Sequence, residues 1–198
     1  FDSKLDTIQI NGKYSIINER VFSHFEALET VEFGPSIKFL IISRWAFLGC
    51  INLHKIIIPS SCVSIEKGAF KNCVNLKTVE FKMTESKYQL KYIKKEAFYN
   101  CSSLEFISLP SSVYIIDESA FMNCQNLAKI ELKEGLQIIY NGAFKNCKSL
   151  KSFVLPKSCV TLGPAAFMNC TSLESFEYEG EKLKSIQCRT FFNCTSLK

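Results

Sequence analysis

Two histidines, one tryptophan and eight glycines are all that the 198 residues hold of three types on which many functional sites depend. The glycines form no rich loop, so a phosphate cradle is missing. His24 and His54 stand apart, with no Ser/His/Asp set and no cysteine nucleophile in register beside either, so an enzyme lacks its usual parts. No CxxC pair and no Cys/His zinc spacing occurs despite ten cysteines, which argues against a metal site or other cofactor. The longest clean apolar stretches are "FLII" at 39–42 and "III" at 56–58. A membrane-spanning helix needs about eighteen residues, so no membrane insertion by this segment is expected. Charge of one sign is not in blocks either: 24 basic and 19 acidic residues alternate along the chain. Without a basic stripe there is no nucleic-acid footprint. The chain opens on Phe1 with no secretory leader, which points to a processed or excised N terminus.

What is present is one unit, written repeatedly. "AFKNCVNL", "AFYNCSSL", "AFMNCQNL", "AFKNCKSL", "AFMNCTSL" and "TFFNCTSL" recur, each with a cysteine between an aromatic residue and a leucine. Taking that leucine as position 1, eight full repeats start at residues 5, 28, 53, 76, 104, 127, 150 and 173, and a truncated ninth starts at 197. A period near 23 residues is that of a solenoid, and the chain reads as one domain, 1–198. The clearest copy, residues 104–126, is "LEFISLPSSVYIIDESAFMNCQN", with Leu104, Ile107, Leu109, Val113, Ile116, Phe121 and Cys124 in the apolar slots. "IxL" alternates with period two and predicts a short strand. Pro59, Pro110 and Pro156 then stop it, because proline cannot donate to a ladder. "VxxI" predicts a second extended segment, and "xxxAFxNC" a tight or helical turn. One repeat cannot bury this much apolar surface alone, so the repeats must stack. Residues 82–89, "KMTESKYQ", put eight residues where a clean repeat has three, which predicts a protruding loop whose Tyr88, Met83 and lysines could supply a contact.

The pieces "LxxIxLP", "VxxI" and "AFxxCxxL" closely resemble the leucine-rich repeat family, and within it the BspA-type subclass. The resemblance covers residues 5–198. It implies a right-handed, β-rich coil with parallel sheets and short turns or helical turns between strands. It also implies a non-catalytic protein-binding module, with surface proteins that attach to host cells or matrix as the leading comparison. An intracellular scaffold or regulator of another protein, in the cytoplasm, is the alternative. No catalytic residues come with the resemblance.

Seven cysteines occupy position 21, a slot the first repeat fills with Phe25, and Cys62 and Cys159 occupy position 10 among Val and Leu. Slots shared with such residues read as apolar, so these nine are expected to pack as small hydrophobes. Cys188, at a turn position, is the candidate reactive thiol. Asparagine precedes six of the position-21 cysteines. Three of these, Asn100, Asn169 and Asn193, lie in glycosylation sequons. Because Asn recurs where the sequon is absent, turn chemistry explains it better than sugar.

By comparison with leucine-rich repeats in general, positions 2, 3 and 5 line the outer surface of the first sheet, and they supply the partner-binding candidates His54, Lys55, Ile57, Lys77, Glu80, Glu105, Phe106, Lys129, Glu131, Lys151 and Val154. A second candidate is an apolar stripe at position 12: Ile16, Ile41, Tyr92, Ile115 and Ile138. These side chains either point outward or curl into the edge of the core. The unfinished rung at 197 and the stripe together lead to an expectation of weak homo-association.

Overall fold

The computed structural model describes residues 5–82 and 87–198, along which fifteen strands are formed. The "IxL" segments make the odd-numbered strands: β1 (Thr7–Ile10), β3 (Thr30–Phe33), β5 (Lys55–Pro59), β7 (Thr78–Lys82), β9 (Phe106–Ser108), β11 (Lys129–Glu131), β13 (Ser152–Leu155) and β15 (Ser175–Tyr178). The "VxxI" segments make the even-numbered ones: β2 (Tyr14–Ile17), β4 (Phe39–Ile42), β6 (Cys62–Ile65), β8 (Tyr92–Ile93), β10 (Ile115–Ile116), β12 (Ile138–Ile139) and β14 (Thr161–Leu162). Each set stacks in parallel. β1 to β11 form a six-stranded sheet, the pair β13–β15 continues that face beside β11, and the even strands form a seven-stranded sheet. The fold is a leucine-rich repeat solenoid, about seven turns of parallel β-structure. Pro59 is the last residue of β5, while Pro110 and Pro156 fall just beyond β9 and β13.

Turns, not helices, connect the even strands to the next repeat among the described residues. The reason lies in where the backbone N–H groups go. In 45–50 they alternate between two kinds of acceptor. Trp45, Phe47 and Gly49 donate to Lys67, Ala69 and Lys71 of the next rung, at 3.0, 2.8 and 2.8 Å. Ala46, Leu48 and Cys50 donate three residues back, to Ser43, Trp45 and Phe47. Half of the donors therefore close turns and half bind rungs together, and none is left for the i to i−4 pattern of a helix. Such a path needs a left-handed residue every fourth position. Among the described residues, all thirteen non-glycine residues with positive φ lie at position 16 or 20 of a repeat, from Arg20 and His24 to Arg189 and Asn193.

Position 20 is the asparagine slot, and the amides stack. Asn146 Nδ2 donates to Asn123 Oδ1 at 2.6 Å, and Asn169 donates to Asn146 at 2.8 Å. Asn100 and Asn193 join Asn72 and Asn169 in the same way. The sequon amides are thus engaged in a structural ladder. The two rings that stand in these slots each lie against a glycine one rung later. A Cβ on Gly68 would come within 2.6 Å of Trp45, and one on Gly49 within 2.7 Å of His24.

Inside the tape runs a column of phenylalanines at position 18. Neighbouring rings from Phe47 to Phe167 sit 5.3–5.4 Å apart, within 9° of parallel. The position-21 cysteines lie against it, but they are more than small hydrophobes. Each thiol donates to the carbonyl of the preceding rung's position-18 phenylalanine: Cys73 to Phe47 at 3.1 Å, Cys124 to Phe98 and Cys147 to Phe121 at 3.2 Å, and so on through Cys194 to Phe167. Phe25 fills the first rung's slot without a donor. Cys194 is half-buried and not, as expected, fully buried.

Removing one of these thiols leaves a small cavity and deprives a carbonyl of its second donor. Cys73→Ala and Cys124→Ala are each expected to cost about 1–2 kcal/mol in urea unfolding, with Cys188→Ala unchanged.

Burial pushes the thiols of Cys50, Cys62, Cys124 and Cys170 up to about 12 and that of Cys159 to about 11. A thiol in the unfolded chain titrates near about 8.5. Below that value both states keep their protons and stability is complete. Above it only the unfolded state ionises, so stability is lost as the pH rises from about 8.5 toward 12. Unfolding midpoints at pH 7.5 and 10 are expected to show this loss, and replacing Cys62 and Cys159 with valine should reduce it.

Candidate protein-binding face

Alternation places positions 3 and 5 on the outside of the first sheet while positions 4 and 6 go to the core. Ladder register then turns each position into a column. Position 3 reads Thr7, Thr30, Lys55, Thr78, Phe106, Lys129, with Ser152 and Ser175 continuing it. Position 5 reads Gln9, Glu32, Ile57, Glu80, Ser108, Glu131, Val154 and Glu177. Ion pairs knit the two columns. Lys55 meets Glu80 at 2.8 Å, and Lys129 meets Glu131 at 2.8 Å while its ammonium lies 5.7 Å from the Phe106 ring. The Lys129 hydrogen bond, with one from Ser108, holds the Glu131 carboxyl below the usual carboxylate range, so it is an anion at neutral pH.

Between these pairs the face is apolar. Phe106, Ile57 and Val154 are 44%, 37% and 61% exposed. Ile57 and Phe106 line a groove of about 910 Å³ with Glu80, Tyr88, Pro110 and Lys133. Its wall is made by the ends of the 82–89 insert. Pairing of β5 with β7 runs on to Pro59 opposite Lys82, Ser60 N–H donates to the Lys82 carbonyl, and Gln89 N–H donates back to Ser60. Tyr88 Oη donates to the Phe81 carbonyl at 2.9 Å, which turns its ring toward the face. The insert is therefore packed at both ends, at Lys82 and at Tyr88–Gln89; Met83 and the expected protrusion lie outside the described residues. Val154 lines an adjoining pocket of about 410 Å³ with Lys133, Glu134 and Glu177.

Of the residues singled out in the sequence, Ile57, Glu80 and Phe106 meet in the groove, and Lys55, Lys129 and Glu131 flank it. His54, Lys77, Glu105 and Lys151 are exposed at position 2, just before their strands, and do not line it. Sequence reasoning missed Pro110, Lys133 and Glu134, whose part depends on how the insert folds back. The stripe is outward-facing. Ile16 pairs with Ile41, and Tyr92, Ile115 and Ile138 pair in turn, on the outside of the second sheet, with Ser64 interrupting the row. Ile16 and Tyr92 are 58% and 39% exposed and the other three are half-buried. No cluster of His, Cys, Asp and Glu able to hold a metal lies among the described residues, and no helix there is long and apolar enough to cross a membrane.

The family profile for the BspA type leucine rich repeat region matches in six copies across residues 1–91 and 91–198. The chain belongs to the BspA-type leucine-rich repeat family. No curated protein matches it significantly. Among solved structures, the leucine-rich repeat protein of T. pallidum is 26% identical with a TM-score of 0.73, over 98% of this chain and 84% of that one. A leucine-rich cell surface protein from Faecalibacterium prausnitzii is 22% identical, with a TM-score of 0.71, over 90% of this chain and 48% of its own. A leucine-rich repeat protein from Bacteroides ovatus is 24% identical, with a TM-score of 0.66, over 98% of this chain and 60% of its own. The chain thus spans about half of the Faecalibacterium protein and three fifths of the Bacteroides protein. As in the family at large, the solenoid is a protein-binding repeat scaffold.

Cys188 is exposed while eight of the other thiols are buried. Iodoacetamide under native conditions is expected to label Cys188 first and Cys194 more slowly, with the buried eight reacting only on unfolding; peptide mass mapping checks the order.

Proposed function

We propose that this domain is a non-catalytic adhesion or recognition module displayed at a cell surface, and that it binds a host or matrix protein through the outer face of its first sheet. The observation that carries the reading is the exposure of Ile57, Phe106 and Val154 on the outer columns of the first face, among ion-paired side chains. Large apolar residues encircled by polar ones have the form of an interface hot spot. Family membership supports a binding role, and the fold shared with a Faecalibacterium cell surface protein supports the location. The ten free thiols do not favour an intracellular scaffold instead. Burial holds most of them protonated, and a protonated buried thiol is inert in an oxidising compartment as well.

A photo-crosslinking residue at Phe106, compared with one at exposed Lys148 on the turn edge, tests this against preparations of cell-surface and matrix proteins. Adducts are expected from position 106 only, and Ile57→Glu should abolish them without altering the melting temperature. Adducts of equal yield from position 148, or none from 106, would sink the reading.

A further inference from the structure

The position-5 column carries a second period. Glu32, Glu80, Glu131 and Glu177 occupy every other rung, and Ile57, Ser108 and Val154 stand between them. We propose that this column binds an extended basic segment of a partner protein, laid along the solenoid axis in a polyproline II conformation with a lysine or arginine at every third residue. The inference rests on the protein-binding reading above and supplies the partner's chemistry.

Spacing selects the conformation. Strands about 4.8 Å apart set alternate-rung carboxylates about 9.6 Å apart. A polyproline II chain rises about 3.1 Å per residue with three residues per turn, so every third side chain returns to one side after about 9.3 Å. From Glu32 to Glu177 the misfit reaches only about 0.9 Å, within the swing of a lysine or arginine. A β-strand laid the same way repeats a face every ~6.6 Å and matches neither one rung nor two. An α-helix returns after seven residues, about 10.5 Å, and drifts by about 2.7 Å over the same span. The groove agrees with this choice, because Tyr88 and Phe106 give it an aromatic lining of the kind into which polyproline II ligands settle.

Charge selects the ligand's sign. Positions 3 and 5 of the eight repeats hold four carboxylates against two lysines, a net of −2 on a chain of net +5. Lys55 already sits on Glu80, and Lys129 and Lys133 on Glu131, but with half or more of each lysine side chain exposed. Exposed ion pairs of this kind hold weakly, so an incoming cation can take their place.

The probe is a labelled peptide of four Lys-Pro-Pro triplets, compared by fluorescence anisotropy in about 50 mM salt with a peptide of the same composition whose four lysines are consecutive. The spaced peptide is expected to bind at least about tenfold tighter. Combining Glu80→Gln with Glu131→Gln should weaken it about tenfold or more, while Glu105→Gln with Glu174→Gln, outside the column, should leave it within about twofold. Thermal melts confirm that each variant folds. Equal affinity for the two peptides, or no loss on removing Glu80 and Glu131, would overturn the proposal. If the peptide fails while crosslinks from position 106 persist, the polyproline ligand is wrong and the binding module stands; if the crosslinks fail, the binding reading falls with it.

Discussion

From Phe47 to Phe167, the carbonyl of the position-18 phenylalanine accepts from two directions, and the solenoid hangs on that junction. Its own rung supplies the N–H of the cysteine three residues on, which closes a turn; the following rung supplies a thiol, which fixes the stacking distance. Local turn geometry and the spacing of rungs are thereby set at one atom. The phenylalanine rings can then stack nearly parallel, and the strands on either side inherit their register. Breaking one thiol contact disturbs the closure of a turn and the seat of its neighbour together, so the tape behaves cooperatively although every rung touches only two others.

The same junction explains what could be read in advance. Leucine at position 1, an apolar residue at position 4 and, in most rungs, the alanine–phenylalanine pair recur at near-constant spacing and are buried where rungs stack on both sides, so strand faces and core were legible from period alone. The thiol's second role was not, because Phe25 shares the slot and makes it look purely apolar. Nor was the left-handed backbone at position 16. Arg20, Trp45, Glu96 and Arg189 stand there, none of which signals positive φ, and only Gly68 and Gly142 hint at it. Where asparagine recurs, at position 20, the conformation could be inferred because that side chain tolerates it.

The binding face was half legible for a related reason. Which residues point outward follows from alternation, and Ile57, Glu80 and Phe106 were found that way. That they line one groove depends on Tyr88 turning back toward Phe81, a contact made by an insertion with no period of its own. Patterns that repeat carry their geometry with them; single insertions do not.

Trp45 over Gly68 and His24 over Gly49 have a wider meaning for how such a chain can change. Each pair couples two residues about one repeat apart, so an aromatic ring lying across a left-handed slot calls for glycine in its successor, whereas the flexible side chain of Arg20 is followed by Trp45. The rungs are consequently not exchangeable parts. Moving the repeat that contains Trp45 to sit before one with Glu96 or Ser119 would drive an indole into a side chain, whereas the asparagine-bearing rungs can follow one another freely. Recombination between repeats is thus filtered by side-chain volume at these two corners, and the order of the array is itself inherited information.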